Sequence, residues 1–376
     1  MTKIFIVLVF SVFVLNLSGC EETYENTDNT DAVDPTDPAE ATEPAESTDP
    51  TESTDPTEPS EPTDPTEPTE PTEPAEPTEP ADPTEPAEPA EPEDPCLAPD
   101  AEKINSVIVG TYNTHLFFDK MCDSGYCSGS DFESVPSDSE YNTKVKDLSD
   151  SVKKIGADII LLQEVEKDSC LKDLFEKSGG YDEYYLGEKG SNASVDTGVM
   201  TKGKITYKNK HTEQIDCAEC DGGKTTFTRA FLETHIELGC RKIIVFSAHF
   251  RSKNDDDPAR RLAEAAAAAK ILKNTAKKYP GALIVMGGDL NDEPGSGTLE
   301  YFENDSAFLR VADELPSKDQ ATYLYRGDAI ALDHIFLVKG DAGSYQTGSA
   351  EVVKDAPSLY SLGSSDHAAL KATFEF

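Results

Sequence analysis

Positive charge is scarce in this chain. Its 376 residues carry 33 Lys and Arg against 73 Asp and Glu, a formal net charge of −40 at pH 7. Neutralisation of phosphates by Lys and Arg drives nonspecific binding to nucleic acid, so this composition argues against a nonspecific nucleic-acid binder. The deficit persists in residues 96–376, which carry 46 acids and 32 bases. Any phosphate polymer must therefore be held by local basic residues or bound cations.

A long apolar segment is also lacking. The most apolar run, Ile4 to Leu17, follows Lys3 and is too short to be a good transmembrane helix. It ends in Leu-Ser-Gly-Cys at 17–20, which is typical of a secretory signal peptide and resembles the lipobox of bacterial lipoproteins. The resemblance implies that residues 1–20 are removed up to Cys20, which then carries lipid. We therefore expect an exported protein anchored to a membrane at the cell envelope or cell surface without spanning it. An ordinary cleaved signal peptide is the alternative.

Lys and Arg are absent from residues 21–95, where 27 residues are acidic and Thr, Glu, Pro and Ala repeat. Such a composition cannot build a core, so we expect a disordered, extended segment. The T-E-P triplet matches the three-residue turn of polyproline II, and at roughly 3.1 Å per residue the segment reaches at most on the order of 200 Å. The sequence predicts an acidic stalk, a solvated spacer without a binding role of its own.

Seven cysteines follow Cys20, and in an exported protein they indicate disulfides. They are Cys96, Cys122, Cys127, Cys170, Cys217, Cys220 and Cys240. The short spacings favour Cys122 with Cys127 and Cys217 with Cys220, and one cysteine must stay unpaired. Half of a zinc site at Cys217 and Cys220 is an alternative, weakened because no second CxxC or His pair accompanies it.

No second linker interrupts residues 96–376, so they are expected to form one α/β domain with a large core. Helical patterns cover Glu140–Ile155 and Pro258–Tyr279. Apolar, β-branched runs predict strands at Ser106–Tyr112, Asp158–Gln163, Gly198–Met200, Ala230–Ile236, Lys242–His249, Leu283–Met286, His334–Val338 and Ala368–Phe376. The fourth and fifth of these are close enough to form an antiparallel hairpin, so mixed sheets are expected.

Five short segments place acids, amides or imidazoles at strand ends. They are YNTH at 112–115, LLQEVE at 161–166, SAHF at 247–250, GGDLND at 287–292 and SSDH at 364–367. Each alone is an ordinary turn, but together they indicate a metal-dependent phosphodiesterase site. Hydrolysis of a phosphate diester requires a hard cation, an oriented water and donors for the developing charge. Mg²⁺ favours carboxylate oxygens and keeps several waters, so it is the expected cofactor, with Mn²⁺ or Ca²⁺ as alternatives.

These motifs resemble the endonuclease/exonuclease/phosphatase superfamily, the fold of deoxyribonuclease I, over about residues 104–376 and in the family's order. GGDLND and SSDH match most strongly. The resemblance implies an α/β (α+β) four-layer sandwich of two mixed β-sheets flanked by helices, with the site at one edge of the sandwich.

The resemblance also implies the metal and substrate contacts. Glu164 and Asp366 match metal ligands, and Asn113 matches the side chain that positions metal and phosphate. The segment from His249 onward resembles the extracellular nuclease-like branch of the superfamily. Arg251 and Lys253 in that segment are therefore expected to contact phosphate.

Five residues match catalytic positions of the family. Asp289 matches the group that orients or deprotonates the attacking water, and Asn291 the amide that donates to the phosphate. Asp333 matches the acid that hydrogen-bonds a histidine and fixes its tautomer. That histidine is His367, which contacts the phosphate or transfers a proton. His249 matches a position where some relatives place a second histidine as general acid.

Other residues are assigned less directly. Arg260 and Arg229 are further candidates for substrate contact, and His334 is expected to be structural because it should point away from Asp333 on a regular strand. Three features depart from the family's pattern. They are the acidic residues 255–257 beside the basic segment, the absence of tryptophan, and residues 187–196, which match nothing assignable.

The sequence thus predicts a divalent-metal-dependent phosphoesterase, foremost a surface-tethered endonuclease acting on DNA or RNA, with no obligate protein partner evident. A phosphatase or phospholipase-type hydrolase acting on inositol phosphates or sphingomyelin is the first alternative. It is weakened because neither an exposed aromatic hairpin nor the further motifs of the five-phosphatases are evident. An inactive displayed binding module is the second alternative, and the intact set of site residues argues against it.

Overall fold

The computed structural model describes residues 103–190, 194–254 and 256–376. The predicted signal peptide, the lipidation site Cys20, the acidic stalk and Cys96 lie outside these residues, so they stay predictions. Among the described residues, no helix has the length and apolar character needed to span a bilayer.

Two large sheets form the framework. The elements are β1 (Ser106–Phe117), α1 (Asp138–Ile155), β2 (Ile159–Val165), α2 (Asp168–Ser178), β3 (Glu183–Leu186), β4 (Asp196–Thr201), β5 (Lys204–His211), β6 (Gln214–Asp216), β7 (Lys224–Thr226), β8 (Phe231–Leu238), β9 (Arg241–His249), α3 (Pro258–Lys278), β10 (Leu283–Asp289), α4 (Gly297–Glu303), β11 (Phe308–Arg310), β12 (Tyr323–Tyr325), β13 (Asp328–Ile330), β14 (Asp333–Val338), β15 (Ser344–Tyr345), β16 (Glu351–Val353) and β17 (Ala369–Glu375).

Both sheets are mixed, as expected. The first sheet runs β15-β17-β1-β2-β4-β3, with β16 also paired to β17, and the second runs β11-β14-β10-β9-β8-β5. Only β1 with β2 and β9 with β10 are parallel among these described pairs. The hairpin expected between β8 and β9 is confirmed. The carboxyl ends of the two parallel pairs carry four of the five motifs.

Three apolar clusters explain the layering. Val109 and Leu161 of the first sheet pack with Val245 and Val285 of the second, between the sheets. The side chains on the opposite face of the first sheet pack with α1 and α2, and those on the opposite face of the second sheet pack with α3 and α4. The four-layer sandwich expected from the sequence is therefore confirmed. Strand residues alternate between the two clusters that flank their sheet because side chains alternate along a strand.

The helix boundaries follow local chemistry. Ser137 and Glu140 form a reciprocal capping box at the start of α1, and Gly156 ends that helix in the left-handed region at φ 65°. Asp257 caps α3, whose first residue is Pro258. Both helices were expected within two residues of these limits.

Two disulfides join the cysteine pairs with the short spacings, Cys122 with Cys127 and Cys217 with Cys220. The zinc alternative for Cys217 and Cys220 is therefore wrong, because both sulfurs are covalently paired. Cys240 is also disulfide-bonded. Cys170 is a free, buried thiol.

Candidate metal and phosphodiester site

The side-chain amide of Asn113 forms hydrogen bonds with residues of both sheets, at the strand ends that we call the edge of the sandwich. Asn113 Nδ2, on β1, donates to Glu164 Oε1 at 3.1 Å and to Asp289 Oδ2 at 3.0 Å. Glu164 ends β2 of the first sheet, whereas Asp289 ends β10 of the second. Three of the predicted residues therefore meet, and Asn113 and Asp289 are both buried.

Irregular backbone conformations orient the side chains of Glu164 and Asp289. Glu164 lies in the left-handed region at φ 62°, where the β1–β2 register shifts. The Leu116 N–H donates to Glu164 Oε2 at 2.7 Å, which fixes the carboxylate across the strand ends. On β10, Gly288 permits a close approach to β9, because a Cβ there would overlap the backbone of Ala248.

A histidine–aspartate pair faces Asp289. His367 Nδ1 donates to Asp333 Oδ2 at 2.8 Å, as the sequence predicts. This bond leaves Nε2 pointing toward Asp289 Oδ2, 3.9 Å away. Burial alone would lower the pKa of His367, but the charges of Asp333, Asp289 and Asp366 outweigh it and raise the pKa to about 10. The ring is therefore held as a proton donor directed at Asp289.

Asp289 is the most perturbed carboxylate of the edge. Burial raises its pKa to about 7, with Asp333 and Glu164 adding to the rise and His367 opposing it. Its Oδ1 accepts the Asn291 N–H at 2.8 Å. Asn291, at φ 52°, turns its side chain back so that Nδ2 donates to the Phe250 carbonyl at 3.1 Å. An amide has a second N–H, which remains for a ligand.

His249 lies behind the carboxylates rather than at the surface. Its Nε2 is 3.8 Å from Glu164 Oε1 and 3.7 Å from Asp289 Oδ2, and its side chain is only 1% exposed. Burial, reinforced by the charges of Arg229 and His367, lowers its pKa well below the usual value. The ring is therefore neutral, and Nδ1 has no hydrogen-bond partner among the described residues.

Asp366 and Glu164 both contact the turn formed by His115 and Leu116. His115 Nδ1 lies 2.8 Å from Asp366 Oδ1, one residue before the N–H that holds Glu164. Ser365 fastens this loop to β1 because its hydroxyl donates to the Asn113 carbonyl at 2.7 Å. His115 belongs to the YNTH segment, but its pairing with Asp366 was not predicted.

The basic residues predicted to contact substrate have different surroundings. Lys253 Nζ pairs with Asp292 at 2.8 Å, and its side chain is 45% exposed. Arg260 is bound elsewhere, because Nε and Nη2 both donate to the Thr226 carbonyl. Arg229 makes no hydrogen bond or ion pair with another described residue, and Glu164 and Asp289 are near enough for their charges to raise its pKa against the lowering effect of burial. The charges of Glu164 and Asp289 therefore act on Arg229, which the sequence indicated only as a further candidate for substrate contact.

Glu264, on α3, organises the two loops that carry these basic residues. It is fully buried, and Oε1 accepts the Thr228 hydroxyl at 2.6 Å while Oε2 accepts the Arg251 N–H at 2.6 Å. Sequence reasoning missed it because an acid in an Ala-rich helix has the pattern of a solvated face. The adjacent arginines at 260 and 261 were the only available signal.

A short hairpin borders His367. It consists of β12 and β13, and the Tyr323 ring lies over His367 with 4.7 Å between ring centroids. Leu324 and Tyr325 are 50% and 49% exposed. The sequence did not make this hairpin evident because its strands are only three residues long. His334, by contrast, bonds through Nε2 to the Asp292 carbonyl at 3.0 Å, as expected for a structural residue.

The residues at this edge fit a hard divalent cation. Glu164, His249 and Asp289 each place a ligand atom within 4.8 Å of the others, and a second group joins Asp289, Asp333 and His367. Asp366, which was predicted as a metal ligand beside Glu164, belongs to neither group. Carboxylate oxygens dominate the donors, and this is the set that Mg²⁺ prefers. The close approach of several buried carboxylates is costly unless positive charge lies between them.

Comparison with known proteins agrees with this geometry. Residues 110–367 match the family model described as Endonuclease/Exonuclease/phosphatase family. No curated protein matches the sequence. The structure is similar to a truncated TDP2 from Caenorhabditis elegans, with 18% identity, a TM-score of 0.50 and coverage of 72% of this chain and 98% of that one. It is also similar to an endonuclease/exonuclease/phosphatase from Bacteroides vulgatus, with 17% identity, a TM-score of 0.51 and coverage of 73% and 100%.

At these identities the structural matches establish the fold alone. The family model spans more than half of the chain and both halves of the site, from the end of β1 to His367. The chain therefore belongs to the Endonuclease/Exonuclease/phosphatase family.

Proposed function

We propose that this protein is a metal-dependent phosphodiesterase that cleaves DNA or RNA. Members of its family are phosphoester hydrolases that generally use a divalent metal ion. The observation that carries the proposal is the series of contacts from Asp333 to His367 and on to Asp289, which lies opposite Glu164. It combines a positioned proton donor, a carboxylate of raised pKa and a metal-ligand carboxylate within one edge.

Glu164 and Asp366 would hold Mg²⁺, which when bound supplies positive charge to a phosphoryl oxygen. Asp289 orients the attacking water and accepts its proton, in keeping with its raised pKa of about 7. His367, fixed in one tautomer by Asp333, donates from Nε2 to the phosphoryl group, and its proton passes to the leaving oxygen as the P–O bond breaks. Asn113 holds the carboxylates of Glu164 and Asp289 in position for metal and phosphate. The free N–H of Asn291 orients the phosphate.

Three basic side chains favour a phosphate polymer over a single phosphate group. The charges of Glu164 and Asp289 act on Arg229, and Arg251 and Lys253 follow β9 on the loop after His249. They would contact the phosphates that flank the scissile bond, while the acidic remainder of the surface limits nonspecific binding. Endonucleolytic cleavage of the polymer is part of this proposal.

A lipid or inositol-phosphate head group is the second candidate substrate. The exposed Leu324 and Tyr325 on the hairpin beside His367 favour it, because apolar side chains there could enter a lipid surface. Phosphatidylcholine vesicles containing sphingomyelin test this directly. An inactive binding module is the third possibility.

The remaining parts of the proposal concern location. We infer that Cys20 is lipidated after export and that residues 21–95 hold the catalytic domain, 96–376, away from a membrane at the cell envelope or surface. Labelling of cells with a radioactive fatty acid, with Cys20→Ser as control, tests the anchor.

The deciding experiment is hydrolysis of plasmid DNA and of a structured RNA by the purified protein with Mg²⁺, Mn²⁺ or Ca²⁺, beside EDTA. His367→Ala and Glu164→Gln are the matched inactive variants, and near-ultraviolet circular dichroism checks their folding. Metal-dependent cutting that is lost in both variants supports the nuclease. If neither polymer is cut, head-group release from sphingomyelin vesicles or inositol phosphates identifies the second candidate, and failure on all of these favours a binding module.

A further inference from the structure

A second acidic cluster lies beyond the end of β2 and shares no residue with the catalytic site. Asp119, Asp123 and Glu166 bring carboxylate oxygens within 4.8 Å of one another. Asp119 and Asp123 belong to the irregular loop between β1 and α1, whereas Glu166 directly follows β2. The cluster therefore joins a loop to the strand that carries Glu164.

One carboxylate of this cluster has an unsatisfied oxygen. Glu166 is only 2% exposed, and its Oε2 accepts the Asp119 N–H at 2.6 Å. Its Oε1 is buried and has no hydrogen-bond partner among the described residues. A buried carboxylate oxygen without a partner is strongly unfavourable, so this atom requires a proton or a cation.

The charges of the cluster are also unbalanced. Lys167 Nζ lies 3.1 Å from Asp119 Oδ2 and also contacts Asp123. One ammonium against three carboxylates leaves two formal negative charges, which is the charge of a single divalent cation. A nearby fourth acid, Glu133, accepts the N–H groups of Asp123 and Ser124, so its oxygens have hydrogen-bond partners, but its charge adds to the negative charge of the loop.

We propose that Asp119, Asp123 and Glu166 form a binding site for one Ca²⁺ ion that is separate from the catalytic metal. All three donors are oxygens, and two of them lie on an irregular loop. Ca²⁺ accepts six to eight oxygens in flexible geometry, whereas Mg²⁺ requires a near-ideal octahedron. The loop can complete the shell with backbone carbonyls and water. The bound ion fastens the loop after β1 to the chain two residues beyond Glu164.

Calcium binding is tested on the purified full chain, stripped with EGTA and then held at constant Mg²⁺ so that Mg²⁺ occupies the catalytic site. Equilibrium dialysis against ⁴⁵Ca²⁺ counts the bound ions, and the melting temperature reports the linkage to folding. Asp131→Asn is the matched control, because Asp131 lies in the same loop and its hydrogen bonds within the described part of the chain are all to Ser128. The wild type and this control should retain one Ca²⁺ and melt about 5 °C higher with it.

Asp123→Asn should lose both the retained ion and the rise in melting temperature. The proposal is overturned if the wild type retains no Ca²⁺ above Mg²⁺, or if Asp123→Asn shows the same retention and shift. In either case Glu166 is satisfied by a proton instead.

Lys167→Ala provides a second test if Asp123→Asn does not fold. Removing the competing ammonium should tighten Ca²⁺ binding at least threefold and make stability depend on Ca²⁺. If Ca²⁺ does not restore the stability of Lys167→Ala, the lysine is the cluster's own counterion and the site does not exist. Glu164→Gln separates this proposal from the nuclease, because it should lose turnover while keeping the calcium-dependent shift.

Discussion

Replacement of Asp333 by Asn tests the catalytic proposal at its most defined contact. Asp333 is 1% exposed, and its Oδ2 accepts the Nδ1–H of His367 at 2.8 Å. An asparagine has the same shape but no charge, and its amide can present an N–H to the ring instead of an acceptor. The change should leave the fold in place while it releases the orientation and tautomer of His367.

The size of the effect follows from the bond that is removed. A hydrogen bond to a charged group contributes about 1.5–3 kcal/mol, and each 1.4 kcal/mol or so of lost transition-state stabilisation is about tenfold in rate. The expected loss in kcat/KM is therefore about 10- to 150-fold. It agrees with the roughly 10- to 100-fold cost of losing an outer partner of a catalytic or metal-bound histidine. Asp333→Asn should affect kcat more than KM because His367 acts on the developing charge.

A double-mutant cycle provides the assay, with kcat/KM measured on a fluorogenic phosphodiester oligonucleotide for the wild type, Asp333→Asn, His367→Ala and the double variant. Since Asp333 acts through His367, Asp333→Asn should cost nothing further once His367 is absent. Asp305→Asn is the matched control, because this acid pairs with Lys273 outside the site. Additive losses in the double variant would refute the reasoning, and so would wild-type activity in Asp333→Asn.

Three further predictions concern stability and substrate binding. Gly288→Ala should unfold or strongly destabilise the protein in thermal melts, because the added Cβ would overlap the backbone of Ala248, and a normal melting temperature would contradict this. Burial would raise the pKa of Glu233, but its bonds to two histidines, including His211, lower the pKa to about 2 from 4.5. The charged form therefore contributes roughly 3 kcal/mol of stability above pH 4.5, which is lost as the pH falls toward 2. Glu233→Gln should remove this pH dependence in urea titrations, whereas an unchanged profile would exclude the ion cluster as its cause. Glu264→Gln should raise KM about tenfold with kcat largely kept, because one charged hydrogen bond that positions the basic loops is lost, and steady-state kinetics showing a collapse of kcat at constant KM would contradict that role.

The sequence predicted best the features that depend on residues close together in the chain. The end of α1 at Gly156 and the start of α3 at Pro258 follow from local preferences that need no tertiary partner. The cap at Ser137 was missed, so the expected start of α1, Glu140, lies two residues too late. The mixed sheets and the main strands followed from apolar runs. The elements that were missed include short ones, such as β12, β13 and α4, whose residues are placed by neighbours distant in sequence rather than by a periodic pattern. The longer α2 and β5, of 11 and 8 residues, were also missed.

The candidate site, like the fold, has features that the sequence predicts and features that depend on distant segments. The sequence determined which residue types meet, because the five motifs occur in the family's order and four of them lie at the carboxyl ends of strands, whereas SSDH precedes β17. The contacts of Asn113 with Asp289 and of Asp333 with His367 agree with that expectation. Only the tertiary structure decided how their environments differ. It buries His249 so that its ring is neutral, engages Arg260 away from the carboxylates and makes Glu264 the support of two loops. Burial and through-space charge depend on which distant segments pack together, and this information is not contained in the spacing of residues along the chain.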